Sequence, residues 1–252
     1  MGRMKDKVVI ITGAAQGIGE TYAKALAEEG ARIVVADILD GTDVVREIKE
    51  KGGRALFVNT DVSDEASASA MAAAAVEYFG RIDVLVNNAA VYASLDLKPF
   101  EEIDVLEWDK VMSVNVRGPF VCAKAVVPYM KRNGYGRIVN ISSGTPFKGM
   151  PNLLHYVTSK GAVLALTRAL AREVGDHGIC VNTLAPGLVL SEGVIQNREL
   201  RDKLTGPVIA SRAIKRDQVP SDLIAPLLFL VSDDSAFMTG ETVVVDGGSV
   251  MH

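Results

Sequence analysis

Tyr156-Val157-Thr158-Ser159-Lys160 sets a phenol and an ammonium four residues apart. On a helix those positions lie one turn apart on one face, so both groups can enter one site. A phenol near pKa 10 is a poor acid or base at neutral pH, and a neighbouring cation favours its ionised form. Each unit of depression needs about 1.4 kcal/mol of differential interaction. The same spacing also arises by chance on solvated helices. Thirteen residues upstream of the tyrosine, Asn140-Ile141-Ser142-Ser143 closes a β-branched run. A Ser143 hydroxyl at that strand end can hydrogen-bond a substrate oxygen, although serines also end strands for local reasons.

A second chemistry is written near the start of the chain. Val8–Thr12 runs into Gly13-Ala14-Ala15-Gln16-Gly17-Ile18-Gly19, after which a helical pattern begins. Glycines let the backbone turn sharply and approach a pyrophosphate, and a helix N-terminus offers it free N–H groups. The spacing GxxxGxG alone also fits a turn with packing glycines. Its position at the first strand-to-helix turn favours dinucleotide binding. Asp37 ends the next strand, 18 residues beyond Gly19. A carboxylate there accepts from the adenosine ribose hydroxyls and repels a 2′-phosphate. Ile38 and Gln16 supply no cation to hold that phosphate, so the expected cofactor is NAD. Asp61-Val62 and Asn87-Asn88-Ala89-Ala90 end the third and fourth strands, where an adenine would lie. The asparagines equally suit strand capping.

These residues need a frame. Short apolar runs, Val8–Thr12, Arg32–Ala36, Ala55–Thr60, Val84–Asn87, Arg137–Ile141, Cys180–Leu184 and Thr242–Val245, alternate with helical stretches. The helices expected are Ile18–Glu29, Val44–Lys51, Glu65–Phe79, Trp108–Arg132, Tyr156–Asp176 and Ser221–Val231. Strands apolar nearly throughout are buried on both faces, as in a parallel sheet. The pattern predicts an α/β fold: one Rossmann-like, doubly wound parallel sheet of about seven strands with helices on both faces. No linker or repeat divides residues 1–252, so one domain is expected, with an irregular segment over 187–219 as a candidate substrate lid.

Composition narrows the partners. The 252 residues are 48% hydrophobic and 23% charged, with a net charge of −4, and no basic run marks a nucleic-acid binder. Cys122 and Cys180 stand far apart in apolar contexts, and His155, His177 and His252 lack metal-ligand spacing, so no metal is expected. His177 suits a helix C-terminus; His155 can touch substrate or serve the core, and His252 can pack at a subunit contact or fray. The apolar run after the basic start is too short for a leader, and none is long enough to span a membrane. A cytoplasmic location follows by elimination.

Taken in order, these motifs resemble the short-chain dehydrogenase/reductases from about Lys7 to Gly248. The matching pieces are Thr12–Gly19, Asp61, Asn87–Ala90, Asn115 within Ser113-Val114-Asn115-Val116, Ser143, Tyr156–Lys160, Asn182, Pro186-Gly187, Thr239-Gly240 and Asp246-Gly247-Gly248. The resemblance implies that Tyr156 is the general acid/base at a carbinol or carbonyl oxygen and that Ser143 orients that oxygen. It implies that Lys160 holds the nicotinamide ribose and lowers the Tyr156 pKa, and that Asn115 anchors a proton-exchanging water chain. Gly13, Gln16, Gly17, Ile18, Gly19, Asp37, Asp61, Val62, Asn88, Ala89, Pro186, Gly187, Val189 and Ser191 would meet the cofactor. Two positions depart from the family's pattern: Ala90 stands where glycine is frequent, and Ser191 where threonine often bonds the carboxamide. Family members are usually tetramers through long helices, which implies a homotetramer here.

The expected substrate wall is Thr145, Phe147, Met150, Leu153, Leu154 and Leu188, with Tyr92, beside Ser143 and Tyr156. It is mostly apolar, with no fixed cation, which predicts a small-molecule secondary alcohol or ketone with a cyclic or aryl body. Segments Met130–Ile138, Met150–Val163 and Gly247–His252 look most like aryl and cyclic secondary alcohol dehydrogenases, such as 1-phenylethanol dehydrogenase. Pro151-Asn152 and Gly187–Val194 are similar to pyridoxal 4-dehydrogenase. Two other readings stay open. A 3-oxoacyl-carrier-protein reductase has the same fold but would normally use NADPH and a basic surface; an idle NAD-binding sensor would not need Asn115, Ser143, Tyr156 and Lys160 together.

Overall fold

The computed structural model describes residues 2–251, and His252 lies outside them. Seven strands form one parallel sheet: β1 (Val8–Thr12), β2 (Arg32–Asp37), β3 (Arg54–Asn59), β4 (Val84–Asn87), β5 (Gly136–Ile141), β6 (Ile179–Pro186) and β7 (Thr242–Val245). Their order is β3-β2-β1-β4-β5-β6-β7. The chain therefore reverses its winding direction between β1 and β4, opening a crevice at the carboxyl ends of those strands. The principal helices are α1 (Gly17–Glu28), α2 (Thr42–Glu50), α3 (Glu65–Phe79), α4 (Val105–Met112), α5 (Gly118–Asn133), α6 (Thr145–Lys148), α7 (Leu154–Val174), α8 (Glu192–Gln196), α9 (Arg198–Ser211) and α10 (Ile224–Val231).

Two cores follow from the two-residue period of the strands. Val9, Ile11, Ile33 and Val35 point to one face, where they meet Tyr22 and Leu26 of α1 and Leu227 and Val231 of α10. Val8, Ile10, Val34 and Leu85 point to the other, against Met71 and Ala75 of α3, Cys122 and Val126 of α5 and Val174 of α7. The apolar runs of the sequence are thus explained by burial on both sides.

On the second face, a chain of polar side chains runs across β4, β5 and β6 to α7. Asn87 Nδ2 donates to Asn140 Oδ1 at 2.8 Å, and Asn140 Nδ2 donates to Thr167 Oγ1 of α7 at 2.9 Å. Thr183 Oγ1 of β6 donates to the same Thr167 oxygen at 2.8 Å. This chain fixes α7 over β5 and β6.

Two expectations need correction. The helix expected over Trp108–Arg132 is broken: α4 ends at Met112, a π-helical turn spans Ser113–Arg117, and α5 follows. Proline at 119 has no N–H to give the carbonyl of residue 115, four back, so the regular ladder cannot pass through Asn115. The Gly118 N–H instead reaches Ser113, five residues back. The second correction concerns 187–219, which is largely helical. Leu200 is fully buried, and Leu200, Leu204 and Val208 recur at four-residue spacing, so tertiary contact carries α9 through Gly206 and Pro207. Asn197 caps this helix by accepting from the Leu200 N–H.

Replacing Thr167 with valine keeps the shape but strands the Asn140 amide and the Thr183 hydroxyl. The variant should lose about 1–3 kcal/mol of stability per stranded group, read as a lower midpoint in urea unfolding.

Candidate active site

The floor of the site is made where β5 hands over to α7. Ser142 Oγ donates to the Lys160 carbonyl at 2.8 Å, and Lys160 Nζ donates to the Ile141 carbonyl at 2.8 Å. These two bonds hold the second turn of α7 against the strand end, so Tyr156 and Ser143 meet. The Ser143 hydroxyl and the Tyr156 phenol both face the cleft, near enough for the serine to act on the phenol's ionisation. The Tyr92 ring lies against Tyr156, with centroids 4.6 Å apart and planes tilted by 38°.

Burial pushes the Tyr156 phenol above its ordinary pKa, the Tyr92 phenol adds to the rise, and the Ser143 hydroxyl opposes it. Burial pulls Lys160 down to about 8. The sequence-based expectation that Lys160 depresses the tyrosine is therefore not met in this geometry. The ammonium turns to Ile141 and stands 5.8 Å from the centre of the phenol ring. What lowers Tyr156 here is Ser143.

Asn115 lies beneath the cleft and is fully buried. Its Oδ1 accepts from the Val91 N–H at 2.8 Å, while Nδ2 donates to the Val91 carbonyl and to Ser159 Oγ, each at 3.1 Å. Ser159 Oγ donates onward to the Tyr156 carbonyl at 2.7 Å. The side chain is thus a clamp between the segment after β4 and α7.

A cleft of about 470 Å³ runs from this floor to the end of β2. Gly13, Gln16, Gly17, Ile18, Gly19, Asp37, Asp61, Val62, Asn88, Ala89, Pro186, Gly187, Val189 and Ser191 all line it, together with Tyr156 and Lys160. The fold brings these separate motifs into one surface. Asp37 is buried rather than a solvated loop carboxylate; it accepts from the Ala15 N–H at 2.9 Å and the Leu39 N–H at 3.0 Å. Asn88 Nδ2 holds the glycine loop through the carbonyls of Thr12 and Gly13. Asp61 Oδ1 accepts from the Ser63 N–H and hydroxyl. Asn182 binds Met238 and Glu241, tying β6 to the segment before β7.

The cleft also suits a dinucleotide physically. The N-cap of α1, Gln16, makes no side-chain capping bond, so the first N–H groups of that helix remain available to an anion. Gly17 has φ +61°, and a Cβ there would project into open cleft, with Ser191 Cβ as its neighbour at 3.9 Å. A Cβ on Gly19 would come within 2.0 Å of the Gly13 carbonyl oxygen, so the loop closes only with glycine there. Asp37 supplies the acceptor at the far end.

The substrate wall departs more from the sequence-based expectation. Ser143, Thr145, Met150, Tyr156, Leu188 and Tyr92 line the cleft. Leu153 does not; it is fully buried beneath, packed with Leu95, Val111 and Tyr156. Phe147 is half-buried on α6 and Leu154 is exposed at the start of α7, and neither lines the cleft. The wall is completed by Val194, Leu204 and Val208, which sequence reasoning missed because their segment read as irregular. It also contains Lys148, against the expectation of no cation. Its place on a short polar turn gave no sign of α9 folding against it. His155 is fully buried and turns from the cleft to Glu107, Nε2 lying 3.2 Å from Oε1. Among the described residues no His, Cys, Asp or Glu cluster could hold a metal, and no helix is long and apolar enough to cross a membrane.

Known proteins share this arrangement. A family profile described as enoyl-(acyl carrier protein) reductase matches residues 13–250. Cyclopentanol dehydrogenase from Comamonas sp. is 36% identical over 253 residues, covering 98% of each chain. The BbsD subunit of (2S)-[(R)-hydroxy(phenyl)methyl]succinyl-CoA dehydrogenase from Thauera aromatica is 38% identical over 248 residues, covering 97% of each. A solved structure from Beutenbergia cavernae, holding NADP at low occupancy, has a TM-score of 0.90 at 34% identity and covers 99% of each chain. With its seven-stranded parallel sheet, its glycine loop and its Ser143–Tyr156–Lys160 floor, the chain belongs to the short-chain dehydrogenase/reductase family, an oxidoreductase family that uses nicotinamide cofactors.

Proposed function

We propose that this protein interconverts a secondary alcohol with a cyclic or aryl body and its ketone, using NAD(H). The observation that carries the reading is the meeting of Ser143 and Tyr156 in a cleft whose other end is the buried Asp37 carboxylate. The nicotinamide cofactor, when bound, supplies the site that accepts or returns a hydride. Tyr156 takes the proton from the carbinol oxygen during oxidation and returns it to the carbonyl oxygen during reduction. Ser143 donates to that oxygen and to its developing charge. Lys160 holds the ribose next to the nicotinamide and Ser191 its carboxamide, while the glycine loop and the α1 N-terminus take the pyrophosphate. Asp37 accepts from the adenosine ribose. Val194, Leu204 and Val208 cover the substrate, so 187–219 is its lid within a single domain.

Similarity to a cyclopentanol dehydrogenase and to an enzyme named for a phenyl carbinol supports a cyclic or aryl body, as does the wall of Met150, Leu188, Leu204 and Val208. The exposed apolar side chains of Val105 and Leu106 on α4 and Phe120 on α5 support assembly as a homotetramer. Light scattering should return about four chain masses; a monomer overturns that part.

Initial rates with cyclopentanol and 1-phenylethanol should show NAD preferred over NADP by more than about tenfold in kcat/KM, a difference of about 1.4 kcal/mol. In Asp37→Ser the ratio should collapse. An equal ratio in the unchanged protein would remove the NAD assignment. Tyr156→Phe should lower kcat by about 10²–10⁴-fold while calorimetry shows dinucleotide affinity nearly intact. Undiminished turnover would refute the proton role.

A further inference from the structure

We propose that Lys148 is an anion-recognising residue of the substrate cleft, so that the preferred alcohol carries a carboxylate on the part of its body remote from the carbinol. The inference rests on the alcohol-oxidising reading above and refines its substrate class. Lys148 is the last residue of α6, which follows the strand end bearing Ser143, and it lines the cleft opposite Leu204 and Val208 of α9. Its ammonium donates to Ser249 Oγ in the segment after β7 and lies 3.4 Å from Ser211 Oγ at the end of α9. Both partners are neutral hydroxyls. An ammonium has three donors, and among the described residues no carboxylate lies within 4.0 Å of this one.

No carboxylate that lines the cleft is paired with Lys148. The acidic residues lining the cleft are Asp37, Asp61 and Asp246, and the first two stand at the cofactor end. Asp246 is the one carboxylate that acts on Lys148, and the buried Arg212, which also acts on it, is itself answered by Asp217 and Asp222. Asp246 Oδ1 is already committed to the Gly248 and Ser249 N–H groups. Burial, helped by Arg212, holds the Lys148 ammonium below its ordinary pKa, with Asp246 opposing. A carboxylate entering the cleft accepts from an ammonium already aimed by two hydroxyls from separate elements. Lys148 is exposed, so solvent and salt screen that contact. Lys160, the buried lysine of the floor, is committed to the Ile141 carbonyl and, in the proposed reaction, to the nicotinamide ribose.

The test compares near-isosteric alcohols, 4-(1-hydroxyethyl)benzoate against 4-(1-hydroxyethyl)benzamide, together with the longer 3-[4-(1-hydroxyethyl)phenyl]propanoate and its amide. At least one carboxylate should exceed its amide by about tenfold in kcat/KM. The preference should shrink as salt is raised, vanish in Lys148→Met and persist in Lys148→Arg. Equal rates for each acid and its amide, or a preference unchanged in Lys148→Met, overturn the proposal. If no alcohol turns over, the alcohol-oxidising reading fails separately. The carboxylate site is then read by calorimetry, with 4-acetylbenzoate against 4-acetylbenzamide; absence of a preference dependent on Lys148 overturns it there too.

Discussion

A lysine ammonium taken out of water must find a strong acceptor, and the structure around the active site is arranged about one such bond. Lys160 donates to the last carbonyl of β5, while its own carbonyl accepts from Ser142 just beyond that strand. The pair fixes the height and rotation of α7 on the sheet. From that rotation follow the meeting of Tyr156 with Ser143, the contact of Ser159 with Asn115 and the reach of Thr167 to β5 and β6. A buried polar set of this kind is costly when half made, so it tolerates few alternative packings. Uniqueness of the site is thereby built into the fold.

The two halves of the cleft are constructed on different principles. At the glycine-loop end, backbone groups dominate: glycines at close approaches, uncapped N–H groups of α1 and side chains such as Asp37 and Asn88 that hold backbone in place. At the Tyr156 end, side chains from α6, α8 and α9 make the wall. Backbone recognition suits a cofactor shared by a whole family, whereas side-chain walls are free to vary with the molecule they enclose.

Much of this was legible in the sequence because the signals are local. Runs such as Val8–Thr12 and Arg32–Ala36 declared two-sided strands, and the glycine loop, Asp37, Ser143 and Tyr156–Lys160 were found at the ends of the elements expected to carry them. What escaped depended on contacts between distant segments. The π-helical turn at Asn115 was in principle readable from Pro119, but the helical pattern on either side concealed it. Alpha-helix over Arg198–Ser211 was hidden by Gly206 and Pro207, since its stability comes from Leu200 packing rather than from propensity. Leu153 was assigned to the cleft because its apolar character fits a wall and a core equally well. The ionisation of Tyr156 was misjudged for a related reason: spacing gives neighbours on a helix, but burial and the direction of an ammonium are tertiary facts.

The segment from Gly187 to Val219 begins and ends at nearly one place. Val189 bridges Gln218 in a short parallel pairing, Arg212 donates to the carbonyls of Leu188 and Arg216, and Asn197 fastens the middle of the excursion to Ala93. Its ends are thus sewn to each other and to fixed loops, independently of what lies between. An insert with closed ends can be lengthened, shortened or exchanged with that of a relative without altering strand order or the floor of the site. In evolutionary terms the chain carries a replaceable cassette. Its variable part is the stretch between Ser191 and Arg212, since Gly187, Val189 and Ser191 at its start line the cleft beside the glycine loop.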